Sequence, residues 1–412
     1  MNNTTKPNRT ENRSKANNKN PQAAELPASA GSNRSGKSGN PVSKSKLRAK
    51  APSPAPTQPA DVIKIGVDQG LLKYVSCRQV DGSLADSPRA FTPEKFRTWL
   101  VSQKSLSRRV VVCYEAGLFG FELARWIHDQ GMECIVMAPV KLDEGNKRVE
   151  TDKLNARDIC SRLDRYLAGN TRALTACRIP KRQEELDRHQ TRLRTQLNAH
   201  RKALESQGRC LLWQFGQVQE GSDWWQEAYW EGLVKRTKEP QIISGLSRLR
   251  AILLELSRQE DELNKELAEQ SKTALPTPLA GKLPTGMGWL SLLILTREIM
   301  DWNRFRNRRQ PGGFAGLVPS ESSTGVSVRQ GSITKVGNPV VRTILIEMAW
   351  RLVRYQPNYH AFKRWGPVLR NKKAGAAARK KAIVAVARVL GVDLWRLSTG
   401  QTTFEKLGLA CH

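Results

Sequence analysis

Acidic residues are scarce in this chain of 412 residues. Asp plus Glu number 38 against 68 Lys plus Arg, a formal charge of +30. That imbalance favours a polyanionic partner, nucleic acid or an anionic membrane surface. Histidine is rarer still, with five in all. The seven cysteines (77, 113, 134, 160, 177, 210 and 411) form no CxxC pair and are an odd, widely spaced set. A zinc site or disulfide framework is therefore not expected, and reduced thiols are. No apolar run approaches the ~18 residues of a membrane span. The first residues are rich in Asn and Lys without an apolar core, unlike a secretory signal. The membrane reading weakens, nucleic acid leads, and a cytoplasmic, nucleoid-associated location is expected.

What is present divides the chain into four. Residues 1–60 are poor in apolar side chains, and 1–50 carry 11 basic and 2 acidic residues before the Pro-rich APSPAPTQPA. Such a segment cannot bury enough surface to fold alone and reads as a disordered basic tail and linker. Residues 61–180 alternate short β-branched runs, VIKIGVD (62–68), RRVVVCYEAG (108–117) and MECIVMAP (132–139), with helical patterns at 93–103 and 119–131. That alternation indicates an α/β layer. The Asp-Gly at 81–82 reads as a hairpin turn. In 181–275, leucines 186, 193, 197, 204 and 211, then 246, 249, 253, 256, 263 and 267, keep heptad spacing. This predicts an antiparallel helical hairpin or coiled coil, with Trp224, Trp225, Tyr229 and Trp230 as an aromatic tip. Its apolar stripe suits either self-packing or dimerisation. Residues 276–412 carry 22 basic and 6 acidic residues, including RFRNRRQ (304–310), RWGPVLRNKK (364–373) and ARKK (378–381). Arg304, Arg306, Arg308, Arg309, Lys372 and Lys373 are the candidate nucleic-acid contacts.

Two sets of residues carry chemistry. Asp68 and Glu115 end two β-runs, and Asp152 opens the helical pattern after the third. Acids at the ends of neighbouring central strands converge and repel one another, so such a set commonly holds a divalent cation through hard oxygen ligands. The second set lies in GLVPSESSTGVSVRQGSITKVGN (316–338), with hydroxyls at Ser320, Ser322, Ser323, Thr324 and Ser327. Arg329 and Lys335, just downstream, are placed to hold phosphates.

The order strand-Asp, strand-Glu, helix-Asp resembles the ribonuclease H-like fold of Holliday-junction resolvases. IGVDQG (65–70), YEAG (114–117) and APVKLDEGNKRVETDKLNARDICSRL (138–163) resemble the N-terminal domain of the DEDD insertion-sequence transposases, the insertion-sequence-110 and -1111 families. LPTGMGWLSLLIL (283–295) and FAGLVPSESSTGVSVRQGSITKVGNPVVR (314–342) resemble their C-terminal segments. The resemblance implies a fold of class α/β plus α. It comprises a ribonuclease H-like N-terminal domain (61–180), a long helical hairpin (181–275) and a mostly helical, basic transposase domain (276–412).

It also implies DNA recombination at a Mg-binding site. Asp68, Glu115 and Asp152 match the first three family acids. The fourth position is Asn155, a neutral oxygen donor, with Asp158 one turn on as reserve. The family's nucleophilic serine, immediately before a glycine, falls on Thr324, with Ser323 beside it. No histidine stands close to them in sequence, so a composite site joining both domains is expected, completed within one chain or across subunits. Further implications are a structured bridge RNA as guide and a homo-oligomer, dimer or tetramer. The alternatives are a metal-dependent junction nuclease that hydrolyses with the acids alone, and a noncatalytic nucleic-acid-binding protein.

Overall fold

The computed structural model describes residues 59–139, 151–217, 223–324 and 327–411. The basic tail expected at 1–60 lies outside them up to residue 58, as does the 140–150 stretch of the acidic motif.

The first layer is a mixed sheet. β1 (Ala60–Gln69), β2 (Tyr74–Val80) and β3 (Arg89–Phe91) precede α1 (Pro93–Ser102). β4 (Ser107–Glu115), α2 (Glu122–Asp129), β5 (Glu133–Met137) and α3 (Asp152–Leu167) follow. The strand order is β3-β2-β1-β4-β5. β1 is antiparallel to β2 and parallel to β4, which is parallel to β5. The Asp-Gly pair does not close a two-residue hairpin. The β1–β2 turn is made by residues 70–73, and Asp81 instead takes φ 47° and ties its carboxylate to the Val62 N–H.

Strand alternation decides what each face meets. Ile63, Ile65 and Val67 join a core with Phe96, Leu100, Tyr114, Leu123 and Ile127 from α1, β4 and α2. The intervening Lys64, Gly66 and Asp68 face α3. Lys64 is ion-paired with Asp164, and the Asn155 amide N donates to Asp68. Between them the two backbones nearly touch, because a Cβ on Gly66 would sit 2.3 Å from the Cys160 backbone N. Contacts at 164, 160 and 155 follow 64, 66 and 68, so α3 runs back along β1. Its N-terminus arrives at the acidic end of the sheet.

Beyond the sheet, α4 (Arg182–Gln214), α5 (Glu227–Arg236) and α6 (Pro240–Ala274) follow. α4 and α6 are antiparallel, as the pairs Arg194–Asn264 and Asn198–Glu260 show. The predicted seams are unequal. Leu246, Leu253 and Leu267 are buried, whereas Leu186 and Leu193 are exposed. On α4, Leu212 joins the core with Leu246 and Leu253, and Leu204 and Leu211 pack against it, while Thr191, Glu205 and Gly208 are also buried. Arg194 and Arg201 both bind the buried Glu260, a polar layer that fixes the register of the pair. Of the aromatic segment, Tyr229 is exposed. Trp224 and Trp225 are buried, and the Trp224 indole N–H donates to the Glu205 carbonyl. The indole fits because position 208 has no side chain, for a Cβ there would stand 2.0 Å from Trp224 Cζ2.

The last part holds α7 (Thr277–Ala280), α8 (Trp289–Ile299), α9 (Arg309–Phe314), β6 (Pro319–Thr324), β7 (Ser327–Ile333), α10 (Pro339–Tyr355), α11 (Phe362–Arg370) and α12 (Ala376–Ser398). Leu292, Leu345, Leu352, Val386 and Leu394 are among the residues of its core. The hydroxyl-rich stretch is not a loop but an antiparallel hairpin, β6–β7. No described helix is long and apolar enough to cross a membrane.

Candidate active site

Asp68 and Glu115 occupy adjacent strand ends. The last paired positions of β1 and β4 are Val67 and Tyr114, and the two acids come next. Both line one solvent-open cleft of about 210 Å³, with Gln69, Gly117, Leu118 and Phe119. Asp68 is half-buried. Burial is the main reason its carboxyl is held above the usual range, opposed by the Asn155 hydrogen bond and reinforced by the charge of Asp152. Asn155 Nδ2 donates to Asp68 Oδ2 at 3.3 Å.

Asp152 is placed differently. It opens α3, exposed, and its Oδ2 pairs with Lys73 Nζ at 2.8 Å. That ammonium, from the β1–β2 turn, pulls the Asp152 carboxyl below its normal range. Asp158 is ion-paired with Arg162 at 2.5 Å. Among the described residues, no three acid, His or Cys side chains already converge as a metal cage. The donors are nonetheless of the right kind. Asp68, Glu115 and the Asn155 amide oxygen are hard ligands, and Asp68 carries a carboxylate made costly by burial and a neighbouring charge. They fit a hard divalent cation, with Lys73 supplying positive charge beside Asp152 in its place.

The hairpin is held firmly at its base. Thr334 N–H donates to the Val318 carbonyl, and Arg342 Nη1 to the carbonyls of Ala315 and Lys335. Gly337 takes φ 146° and packs against the Phe314 carbonyl at the hairpin base. Asn338 caps α10 by accepting from the N–H groups of Val340 and Val341. Its amide N donates to Glu298 Oε2 at 2.7 Å, and Glu298 in turn takes Arg192 of α4 bidentately at 2.7 and 2.9 Å. The hairpin exit is thereby fastened to the long helical pair.

Glu298 is fully buried while Arg192 is half-exposed. Removing Arg192 leaves a buried carboxylate uncompensated, whereas removing the charge of Glu298 leaves an arginine that water can reach. Arg192→Leu is therefore expected to lower stability by about 3 kcal/mol, and Glu298→Gln by distinctly less. Denaturant unfolding of the two variants, compared by midpoint, checks the order.

At the tip, Thr324 stands opposite Ser327, Ser323 opposite Val328 and Ser322 opposite Arg329. The side chains of Ser323 and Thr324, and residues 325–326, lie outside the described set. Arg329 and Lys335 are exposed, as are Arg306, Arg308, Arg309, Lys372 and Lys373. Arg304 is not free in the same way. It is half-buried against the Phe314 ring at 5.1 Å, and burial lowers its pKa.

Two residues the sequence did not reveal stand near the hairpin foot. His360 Nε2 lies 2.5 Å from Oδ2 of the buried Asp393, which also accepts from the Tyr359 hydroxyl at 2.7 Å. Thirty-three residues separate His360 from Asp393. No local motif signals the pair.

Residues 284–364, which lead into the hairpin, include it and run into α11, match the family described as Transposase IS116/IS110/IS902 family. A Sinorhizobium fredii protein named as a transposase, y4rJ, is 28% identical over 320 residues, covering 72% of this chain and 78% of that protein. A second from the same organism, y4qE, is 31% identical over 60% of each. The transposase for insertion sequence element IS1111A of Coxiella burnetii is 32% identical over 29% of this chain and 32% of its own length. Residues 284–364 thus match an IS116/IS110/IS902 transposase domain, and the chain is similar to insertion-sequence transposases over most of its length.

Proposed function

We propose that this transposase cuts and rejoins DNA by transesterification at a composite site made of the acidic cleft and the β6–β7 hairpin. The observation that carries the reading is the pairing of Asp68 and Glu115 in one cleft with Asn155 bound to Asp68. The hydroxyl of Thr324, with Ser323 as the alternative, attacks a DNA phosphorus. A new phosphoester to the protein forms as one phosphorus–deoxyribose oxygen bond breaks. The hydroxyl gives its proton to water, and the departing oxygen takes one to leave as a hydroxyl. The phosphoester energy is kept for rejoining.

Asp68, Glu115, Asp152 and Asn155 would hold a divalent cation, Mg, which supplies positive charge to the phosphodiester when bound. Lys73 keeps Asp152 compensated in the meantime, and Arg329 and Lys335 hold flanking phosphates.

The same reading treats the sheet layer as ribonuclease H-like, supported by the order β3-β2-β1-β4-β5 with β1, β4 and β5 parallel. It divides the folded chain into 61–180, 181–275 and 276–412 as working units. A structured guide RNA, an oligomer that completes the site and a location at the bacterial nucleoid complete the proposal. The +30 charge suits both nucleic acids.

Asp68→Asn keeps the shape of the cleft and removes its charge. Cleavage of labelled element-end DNA is expected to fall on the order of 100-fold, with binding retained in a mobility-shift assay. Undiminished cleavage would sink the acidic-site reading.

A further inference from the structure

A cavity opens between α9, the foot of β6, the loop before α11 and α12, with a volume of about 570 Å³. Arg308 and Arg309 line it from one side. Arg388 and Arg396, eight positions apart on one face of α12, line it from the other. Among the described residues, none of these four guanidinium groups has a carboxylate within ion-pair distance. Arginines that meet no acid are uncommon inside a concave wall, because like charges held together raise one another's energy unless an anion joins them. Glu321, on the hairpin side of the rim, is engaged in contacts of its own.

His360 completes the wall. Its Nε2 is taken by Asp393, which is 1% exposed and held by Tyr359 as well. The imidazole is therefore fixed in orientation, with Nδ1 left over, and its side chain is 39% exposed. A buried carboxylate needs donors, and burial alone explains Tyr359. It does not explain a fixed, half-exposed imidazole at the wall of a cavity lined by four arginines.

We propose that this cavity receives a backbone phosphate of a nucleic-acid strand, bound by Arg308, Arg309, Arg388 and Arg396, with His360 as a positioning residue aimed by Asp393. The inference rests on the reading that the chain handles nucleic acid, and adds where the strand is gripped. Pro319 and Glu321 line the cavity, and Thr324 is three residues beyond Glu321 on the same strand. Three residues of extended chain span ~10 Å, about three nucleotides of rise along one strand. The cavity thus fixes a phosphate near the one presented to the hairpin tip, setting the register of the strand against the reacting hydroxyl. DNA and RNA share the phosphodiester that these groups recognise.

The test is fluorescence anisotropy of the full chain with labelled 20-nucleotide probes (duplex DNA, single-stranded DNA and single-stranded RNA) over a salt series. The double variant Arg388→Ala/Arg396→Ala should weaken binding of at least one probe about 10- to 100-fold and flatten its log–log salt slope by roughly 1 to 2. The probe that loses affinity identifies the source of the phosphate. Arg309→Glu, an exposed change that leaves folding intact, should act in the same direction on the same probe. His360→Gln keeps a donor for Asp393 and should weaken that probe several-fold without moving the melting temperature, which a merely structural histidine would not do. Unchanged affinity and slope in the double variant and in Arg309→Glu would overturn the proposal. A wild-type chain that binds none of the probes would instead overturn the nucleic-acid reading beneath it.

Discussion

Replacing Ser323 and Thr324 together by alanine is expected to abolish strand transfer, by on the order of 10⁴-fold or more, the scale seen when an activated nucleophile is lost. Each single change discriminates further. Thr324→Ala alone should cost nearly as much as the pair, while Ser323→Ala should retain most activity, because Thr324 holds the position immediately before a glycine that matches the family's nucleophile. Thr324→Ser should be tolerated, since it keeps the hydroxyl and removes a methyl that crowds attack. None of these changes should disturb folding. The hairpin is fastened at its base through Arg342, Asn338 and Glu298, far along the chain from its tip. A hydrolytic nuclease using the acids alone would cut equally well with both hydroxyls gone. Time courses of cleavage and of joining, run on all four variants, separate the two cases.

Gly66→Ala is expected to be the most damaging single-methyl change in the sheet layer. The added Cβ would meet Cys160 N at 2.3 Å, Ala156 O at 2.5 Å and Cys160 Cα at 2.8 Å. All three are backbone atoms of α3, so no side-chain rotation relieves the clash, and the helix must leave the sheet. That movement loosens the packing of Ala156 and Cys160 on Val75 and Cys77 and separates Asn155 from Asp68. A loss above about 4 kcal/mol is expected, beyond the usual range for overpacking because backbone opposes backbone. Denaturant unfolding should show the lowered midpoint. Any protein that remains folded should bind divalent cations more weakly, since two proposed ligands have parted.

The sheet layer was legible because its strands are β-branched runs that end in acids, and those ends do place Asp68 and Glu115 in one cleft. The position of Asp152 was not legible. Its partner, Lys73, belongs to a short turn with no pattern of its own. The heptads foretold the α4–α6 pair, and Leu204 and Leu211 pack on its core, while Leu186 and Leu193 are exposed and the seam includes a polar layer of Glu260 with two arginines. The Trp-rich segment reads as an aromatic tip, and the burial of Trp224 and Trp225 within it carries no local pattern. The overlooked signal was Gly208, a glycine in the middle of a long helix, which makes room for Trp224. The hydroxyl-rich stretch resembled a loop by composition, although SVRQGSI carries the strand that pairs it into a hairpin. The His360–Asp393 pair was invisible for a simpler reason, being assembled by tertiary packing between the loop before α11 and the middle of α12.

The most direct test of the composite hydroxyl site is to trap the protein–DNA intermediate. The wild-type chain is incubated with element-end DNA, guide RNA and Mg, denatured, digested and mapped by mass spectrometry. The account predicts a nucleotide adduct on a peptide spanning Thr324, with the phosphoester on Thr324 or its neighbour Ser323. Cleaved DNA without any adduct on either residue would contradict it.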